Sequence, residues 1–209
     1  MMNGRFEKRE DYMSNPKWLC APCFGTNAGA FGAFSQFLVS LSVSQGSFAQ
    51  RYGFVMLSSL RSSAQMPLWE LLTRSHGGNA VENVCCGAAA SAVAAAAVFP
   101  ASLLFGSSAE TKLFDRHVLL AGVKTSALSG LRLGLFVSFS RGEDLSSSWK
   151  SLVDCFLTAS AAGAFGSIPI MFQSRSLFLK EVILFGTFMT LYERLKLLAG
   201  IPTTAMTKY

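Results

Sequence analysis

The sequence predicts an all-α membrane protein, an integral bundle of about six transmembrane helices. Of its 209 residues, 51% are hydrophobic and only 14% are charged, whereas soluble domains carry about 25% charged residues. The charges lie largely between apolar segments of about twenty residues, the length that crosses the roughly 30 Å hydrocarbon core of a bilayer as a helix. A water-soluble fold of this size needs a charged surface, so a lipid environment accounts for the composition most simply.

Six segments bounded by turn residues or charges are predicted to be helices. They lie at about 24–45, 53–73, 80–105, 118–140, 148–172 and 178–199. The connections between them are short, so neighbouring helices should form antiparallel hairpins. We therefore expect a membrane domain over 24–199, with hairpin repeats at about 24–74, 80–140 and 148–199, between a polar N-terminal segment (1–23) and a C-terminal tail (200–209).

Small residues recur three or four positions apart in the first, third and fifth segments. Such stripes let helix backbones approach closely, which is how membrane helices associate when burial gives no preference between protein and lipid. A lipid-facing role for the stripes is less favoured, because lipid-facing surfaces are rich in Leu, Ile, Phe and Val. The predicted helix-packing residues are Gly25, Gly29, Gly87, Ser91, Gly163 and Gly166.

The same order of features occurs twice, in the third and fifth segments: a small-residue stripe, bulky apolar residues, then Pro100 or Pro169. A proline late in a membrane helix kinks the helix and frees backbone carbonyls. The even-numbered segments share other features, namely an arginine inside an apolar helix or an aromatic-glutamate pair near the helix end. These are Arg61 and Arg132, and the pairs Trp69-Glu70 and Tyr192-Glu193.

Three tandem hairpins with these features resemble the mitochondrial carrier family, over most of residues 24–199. In that family each odd helix ends with a proline, a carboxylate two residues later and a Lys or Arg three residues beyond, and these charges form a network that closes one side of a cavity. Here the charged positions are occupied by Ser102 and Phe105 after Pro100, and by Met171 and Ser174 after Pro169, with Arg175 one residue late. The resemblance thus implies a degenerate carrier that has kept the bundle and lost the transport cycle.

A second resemblance is to the inner-membrane protein-import translocase family. The Gly-rich stretch 24–34, Arg74 and the stretch 83–87 look like the first three helices of that family. Its members usually have four crossings, whereas six segments are predicted here.

Four charged residues fall within or near predicted membrane segments: Arg61, Lys124, Arg132 and Asp154. An unpaired charge there costs several kcal/mol, so each needs a partner or water. Arg61 and Arg132 could face a cavity and hold an anionic solute. Alternatively, they pair with Asp154 or Glu70, snorkel, or bind a lipid phosphate or a neighbouring subunit, and this second interpretation is preferred because a solute site also needs a gate.

Other functional classes lack their signals. The pair Cys20 and Cys23 has no second half-site for zinc, no catalytic constellation is present, and no dense basic cluster with interleaved aromatic residues indicates nucleic acid. We expect no enzyme activity, no cofactor and no nucleic-acid partner.

The sequence therefore predicts a structural or accessory subunit of a complex in the mitochondrial inner membrane, such as a respiratory chain complex or ATP synthase. Its partners would be other subunits of that complex and phospholipid, with cardiolipin at basic loop ends. The alternatives are an active mitochondrial solute carrier with a divergent site, or a translocase-like channel subunit. Lys and Arg favour the side that holds both termini, which predicts termini inside, whereas carriers place theirs outside.

Overall fold

The chain is all-α, as predicted, throughout the part that the structure describes. The computed structural model describes residues 21–76, 78–105, 116–140, 149–201 and 203, and these ranges contain helices and no strands. The helices are α1 (Ala21–Val43), α2 (Phe48–His76), α3 (Ala80–Phe105), α4 (Arg116–Ser140), α5 (Trp149–Gly166), α6 (Ile168–Met171) and α7 (Arg175–Leu198). The predicted N-terminal segment up to residue 20, with Cys20, and the tail from residue 204 lie outside the described residues.

Two connections show how the local sequence ends one helix and starts the next. Between α1 and α2, Gly46 has a φ of +102°, a conformation that L side chains rarely adopt. Before α7, the side chain of Ser174 accepts a hydrogen bond from the backbone N–H of Leu177, at 3.4 Å, which satisfies one of the unpaired donors of the first helical turn.

The predicted fifth segment, 148–172, is two helices instead of one. α5 ends at Gly166, Ser167 leaves helical geometry with φ −107° and ψ 4°, and α6 begins at Ile168. Pro169 lies in the first turn of α6, where its missing N–H removes no helical hydrogen bond. Pro100, in contrast, lies inside α3, which continues to Phe105. The two prolines that end the sequence repeat thus differ in local structure.

The six long helices pack in chain order, and the last one returns to the first. Each of α1 to α4 contacts the following helix, α5 contacts α7, and α7 contacts α1. The α3–α4 pair is antiparallel, since Gly87 lies against Gly130 while Gly134 lies against Val84. The helices therefore form a closed ring of three hairpins around a common interior.

Most of the predicted packing residues lie at tight helix contacts. A Cβ atom added at Gly87 would lie 2.6 Å from the Gly130 carbonyl oxygen, and one at Gly29 would lie 2.9 Å from the Ser63 carbonyl oxygen. Gly163 packs against Phe185, and Gly166 packs against Arg132. Gly25 differs from the expectation, because an added Cβ there would meet no atom within 4 Å.

The interior combines an apolar core with buried polar side chains, and large hydrophobic side chains are also exposed. The core includes Trp69, Leu133, Phe136 and Met189, and the buried polar side chains include Ser35, Ser40, Gln65, Glu70, Ser91, Glu193 and Lys196. Among the described residues, twenty-three large hydrophobic side chains are exposed, and every long helix contributes to them, for example Phe37, Leu60, Val93, Phe139, Leu157 and Ile183. Soluble proteins rarely expose large apolar surfaces, so this number of exposed apolar side chains is unusual for a water-soluble fold.

Helix hydropathy identifies one candidate membrane span among the described residues, Ala80–Ala101 in α3, with a mean hydropathy of 1.9. The core helix of a soluble protein passes the same test of length and composition, but it is mostly buried, whereas 33% of this apolar window is buried. The all-α class is established, and the six crossings remain an expectation.

Candidate functional site

A cavity of about 220 Å³ lies between α1, α2, α4 and α7. Its wall is partly apolar, with Val39, Leu133 and Phe188 among the lining residues. Pockets that take drug-sized ligands measure roughly 300–1,000 Å³, so this cavity suits a smaller molecule. Its polar lining residues are Gln36, Ser40, Ser62, Gln65, Ser129, Arg132 and Glu181.

Neutral hydrogen bonds hold part of this lining in place. The buried Gln65 side-chain amide donates to the hydroxyls of Ser91 at 2.6 Å and Ser129 at 2.7 Å. These two bonds join α2 to α3 and α4. The amide of Gln36 donates to the Ser40 hydroxyl at 2.9 Å. Ser91, predicted as a packing residue, therefore also accepts a hydrogen bond at an interior junction of three helices.

The charged part of the lining is an ion pair between α4 and α7. Arg132 Nη1 lies 2.7 Å from Glu181 Oε2, and the two side chains are 12% and 40% exposed. Gly166 of α5 packs against Arg132. The predicted partners, Asp154 and Glu70, are thus wrong for Arg132. Asp154 is half-buried on α5 and forms no ion pair within the described residues.

Glu181 was not found by sequence reasoning, although an acidic residue in the first half of an apolar helix was an available signal. Its pairing with Arg132 could not be read from the sequence, because 49 residues separate the two and the contact depends on how α4 and α7 are placed in the ring.

Arg61 has a different environment from Arg132. Its Nε and Nη2 atoms are buried and have no hydrogen-bond partner among the described residues. The residue is not part of the cavity lining. The prediction that both arginines face one cavity therefore fits Arg132 alone.

A second polar group, which we call the Glu70 cluster, consists of Glu70, Arg74, Tyr192, Glu193 and Lys196. Glu70 Oε1 accepts hydrogen bonds from Lys196 Nζ at 2.6 Å and from the Tyr192 hydroxyl at 2.5 Å. Arg74 Nη2 lies 3.4 Å from Glu70 Oε2, and Glu193 Oε2 lies 3.8 Å from Lys196 Nζ. The cluster therefore joins the C-terminal part of α2 to that of α7 through buried, paired charges.

The Glu70 cluster and the cavity follow one another along the same two helices. On α2, the lining residues Phe54 to Gln65 precede Glu70, and on α7, the lining residues Glu181 to Phe188 precede Tyr192. Because Glu70 bonds directly to Tyr192 and Lys196, α2 and α7 meet beyond the cavity. The cluster closes the interior at that end.

The sequence had singled out both aromatic-glutamate pairs as features of helix ends. In the structure the pairs meet, with Tyr192 of the second pair donating to Glu70 of the first. Lys196 was missed, although its position four residues after Tyr192 places both on one face of α7.

The residues of the eroded proline motif lie on the surface. Pro100, Pro169 and Arg175 are all exposed. Cys85, Cys86 and Cys155 form no disulfide bond within the described residues, and among these three only Cys85 is exposed. Comparison of the chain with protein-family models, with curated proteins and with solved structures found no match.

Proposed function

We propose that the protein is a multi-pass protein of the mitochondrial inner membrane that binds and transports a small polar solute. Its six long helices would cross the bilayer as a carrier-like bundle, with the solute held in the cavity beside Arg132 and Glu181. The observation that carries the proposal is a polar, ion-paired cavity inside a bundle whose exterior is apolar. The mitochondrial location rests on the resemblance of the three hairpins to carriers.

The proposal that the helices cross a bilayer is supported by the free energy that the exposed apolar side chains would cost in water. Fully burying one Leu or Phe side chain contributes about 1.5–3 kcal/mol, and exposed side chains of this size occur on every long helix. In hydrocarbon this exterior needs no further cover. Buried pairs such as Glu70 with Lys196 and Gln65 with Ser91 supply hydrogen-bond partners where water is absent.

The proposal that the cavity binds a solute is supported by the position of Arg132 and Glu181 in its wall. Polar and ionisable groups within a membrane are costly and mark solute pathways. A bundle with a purely structural role could fill its centre with small apolar residues, as Ala90 and Ala94 do on α3. Instead, Arg132 and Glu181 line a cavity wide enough for a small molecule.

The test is counter-exchange in proteoliposomes loaded with a mixture of labelled metabolites. We expect protein-dependent exchange that Arg132→Gln and Glu181→Gln each reduce strongly, while Lys180→Gln, at an exposed position beside Glu181, leaves it intact. The absence of exchange for every metabolite, together with no solute-dependent change in thermal stability, would contradict the proposal.

A second candidate function, an accessory subunit of a large inner-membrane complex, is favoured by the outer face of α3. This face is exposed and composed of small residues: Cys85, Ala89, Ala92, Ala96 and Pro100. A lipid-facing surface favours bulky side chains, whereas a flat face accepts a neighbouring helix.

This candidate makes a separate prediction. On native gels of gently solubilised membranes, the chain should migrate far above its own 22.5 kDa. Ala92→Leu should release it, and Ala30→Leu, which enlarges an exposed alanine on α1, should not. Migration as a free monomer would exclude the accessory role.

A further inference from the structure

We infer that the cavity selects a small zwitterionic solute, one that carries an ammonium and a carboxylate close together, as free amino acids do. The inference rests on the proposed function, because it names the class of solute that the cavity takes. It follows from the charge balance of the lining, the geometry of the Arg132–Glu181 pair and the cavity volume.

The lining has one positive and one negative residue, and its other polar residues are neutral. The charged residues are Arg132 and Glu181, and the neutral ones are glutamines and serines. The two charges of the wall already balance, so a solute with net charge inside a membrane bundle, as proposed, would add a charge without a partner, which is costly. A zwitterion adds no net charge, and each of its two ends finds an opposite charge on the wall.

The ion pair can accept such a solute without losing its own compensation. Arg132 donates to Glu181 through Nη1 and also lines the cavity. A carboxylate fits the planar donor fork of arginine. Glu181 is the more exposed of the two, so its carboxylate can move to the ammonium end. One ion pair is then replaced by two.

The volume limits the solute to the size of a small metabolite. The cavity measures about 220 Å³, roughly the share of seven liquid waters, and part of its wall is apolar through Leu133 and Phe188. A compact amino acid with a short side chain fits these limits. A solute that is anionic overall would need a second cation, and Arg61 does not line the cavity.

The test uses the full chain in nanodiscs and three probes of matched size: alanine, propionate, which lacks the ammonium, and ethylamine, which lacks the carboxylate. Binding is measured by calorimetry. We expect alanine to bind about tenfold or more tightly than either other probe, since each of them forfeits one charge-assisted contact. Serine, whose side chain is also short, should bind like alanine.

Two variants test which residue of the cavity wall binds each end of the solute. Glu181→Gln should weaken alanine binding by about tenfold and leave propionate binding unchanged or tighter. Arg132→Gln should weaken alanine binding and leave ethylamine binding unchanged or tighter. Lys180→Gln is the matched control on α7. The thermal unfolding midpoint of each variant, measured without solute, shows that it is folded.

The outcomes separate the inference from the function on which it rests. Tighter binding of propionate or succinate than of alanine would overturn the inference that the solute is zwitterionic, while the proposal that the protein binds a solute would stand. Alanine affinity unchanged in Glu181→Gln would also overturn it. A loss of all binding and exchange, for these probes and for the metabolite mixture, would overturn the proposed function itself.

Discussion

At Glu70, donors from two helices far apart in the chain converge on one buried carboxylate. Lys196 and Tyr192 both bind Oε1, and Arg74 lies at Oε2. A carboxylate that has left water needs this degree of compensation, because an unpaired buried charge costs several kcal/mol. The residues that close this end of the interior are therefore also the ones whose loss should be most destabilising.

Lys196→Met should lower the free energy of unfolding by about 3–5 kcal/mol, because it leaves Glu70 buried without its closest cation. SDS titration in mixed micelles measures this change. Lys180→Met, at an exposed position on the same helix, should have little effect. The double variant Glu70→Gln/Lys196→Met should recover much of the loss, and equal damage in the single and double variants would contradict the pairing.

Tyr192→Phe should cost about 1–3 kcal/mol, because it removes one hydrogen bond to the buried Glu70 and preserves the ring. The same titration measures it. Tyr52→Phe serves as control, since Tyr52 is exposed. A tyrosine variant as stable as the unaltered chain would show that the Glu70 cluster does not depend on its hydroxyl.

At the residue level, sequence reasoning identified which charges need partners, and in part it named the wrong partners. Arg132 stood out because it interrupts an apolar helix, and Glu70 stood out because it follows Trp69 near a helix end. Their partners, Glu181 and Lys196, lie 49 and 126 residues further along the chain. No local pattern encodes such a separation, since it depends on ring closure.

Among the helices, α3 and α4 make the closest approach. Gly87, Gly130 and Gly134 all face the backbone of the other helix, and an added methyl group at Gly134 would overlap Val84. The sequence predicted this role for Gly87 from its small-residue stripe. It missed Gly130 and Gly134, although these glycines have the same four-residue spacing as the predicted stripes.

Gly134→Ala should force α3 and α4 apart and lower the free energy of unfolding by about 1–3 kcal/mol, the usual cost of overpacking. Gly25→Ala is the matched control, because an added Cβ there meets no atom within 4 Å. It should be neutral or slightly stabilising, since alanine is the better helix former. Equal effects of the two substitutions would contradict the close approach.

The two prolines show the limit of sequence repeats as a guide to helix geometry. Both follow a small-residue stripe, and both were expected to mark equivalent places. α3 passes through Pro100, while α5 stops two residues before Ile168 and Pro169 starts a new turn. The difference lies in Gly166 and Ser167, which leave helical geometry more readily than Ala97 and Val98 at the matching positions before Pro100.

For the whole molecule, the apolar lengths in the sequence were sufficient to predict an all-α chain of hairpins. They could not predict the packing of α7 on α1 or the cavity, because both are long-range consequences of closing the ring. The exposure of large hydrophobic side chains on every long helix also required coordinates, since it depends on which face of each helix points outward.

A spin label at an outward apolar position tests the membrane environment directly. In liposomes, a label at Leu157→Cys, where the native side chain is 58% exposed, should be accessible to oxygen and protected from a water-soluble nickel complex, because hydrocarbon surrounds it. A label at Ser75→Cys, exposed near the end of α2, should show the reverse. The background needs the native cysteines replaced. Nickel accessibility at both positions would place the bundle in water.

The bond between Glu70 and Lys196 also constrains how the chain is made. Synthesis runs from the N-terminus, so the first hairpin is complete while Glu70 has Arg74 within reach and still lacks Lys196, 126 positions downstream. Until the final helix arrives, that carboxylate has only the first of these two cations beside it. A chain cut short before its last turn would keep nearly all of its helices and lack the bond that closes the bundle.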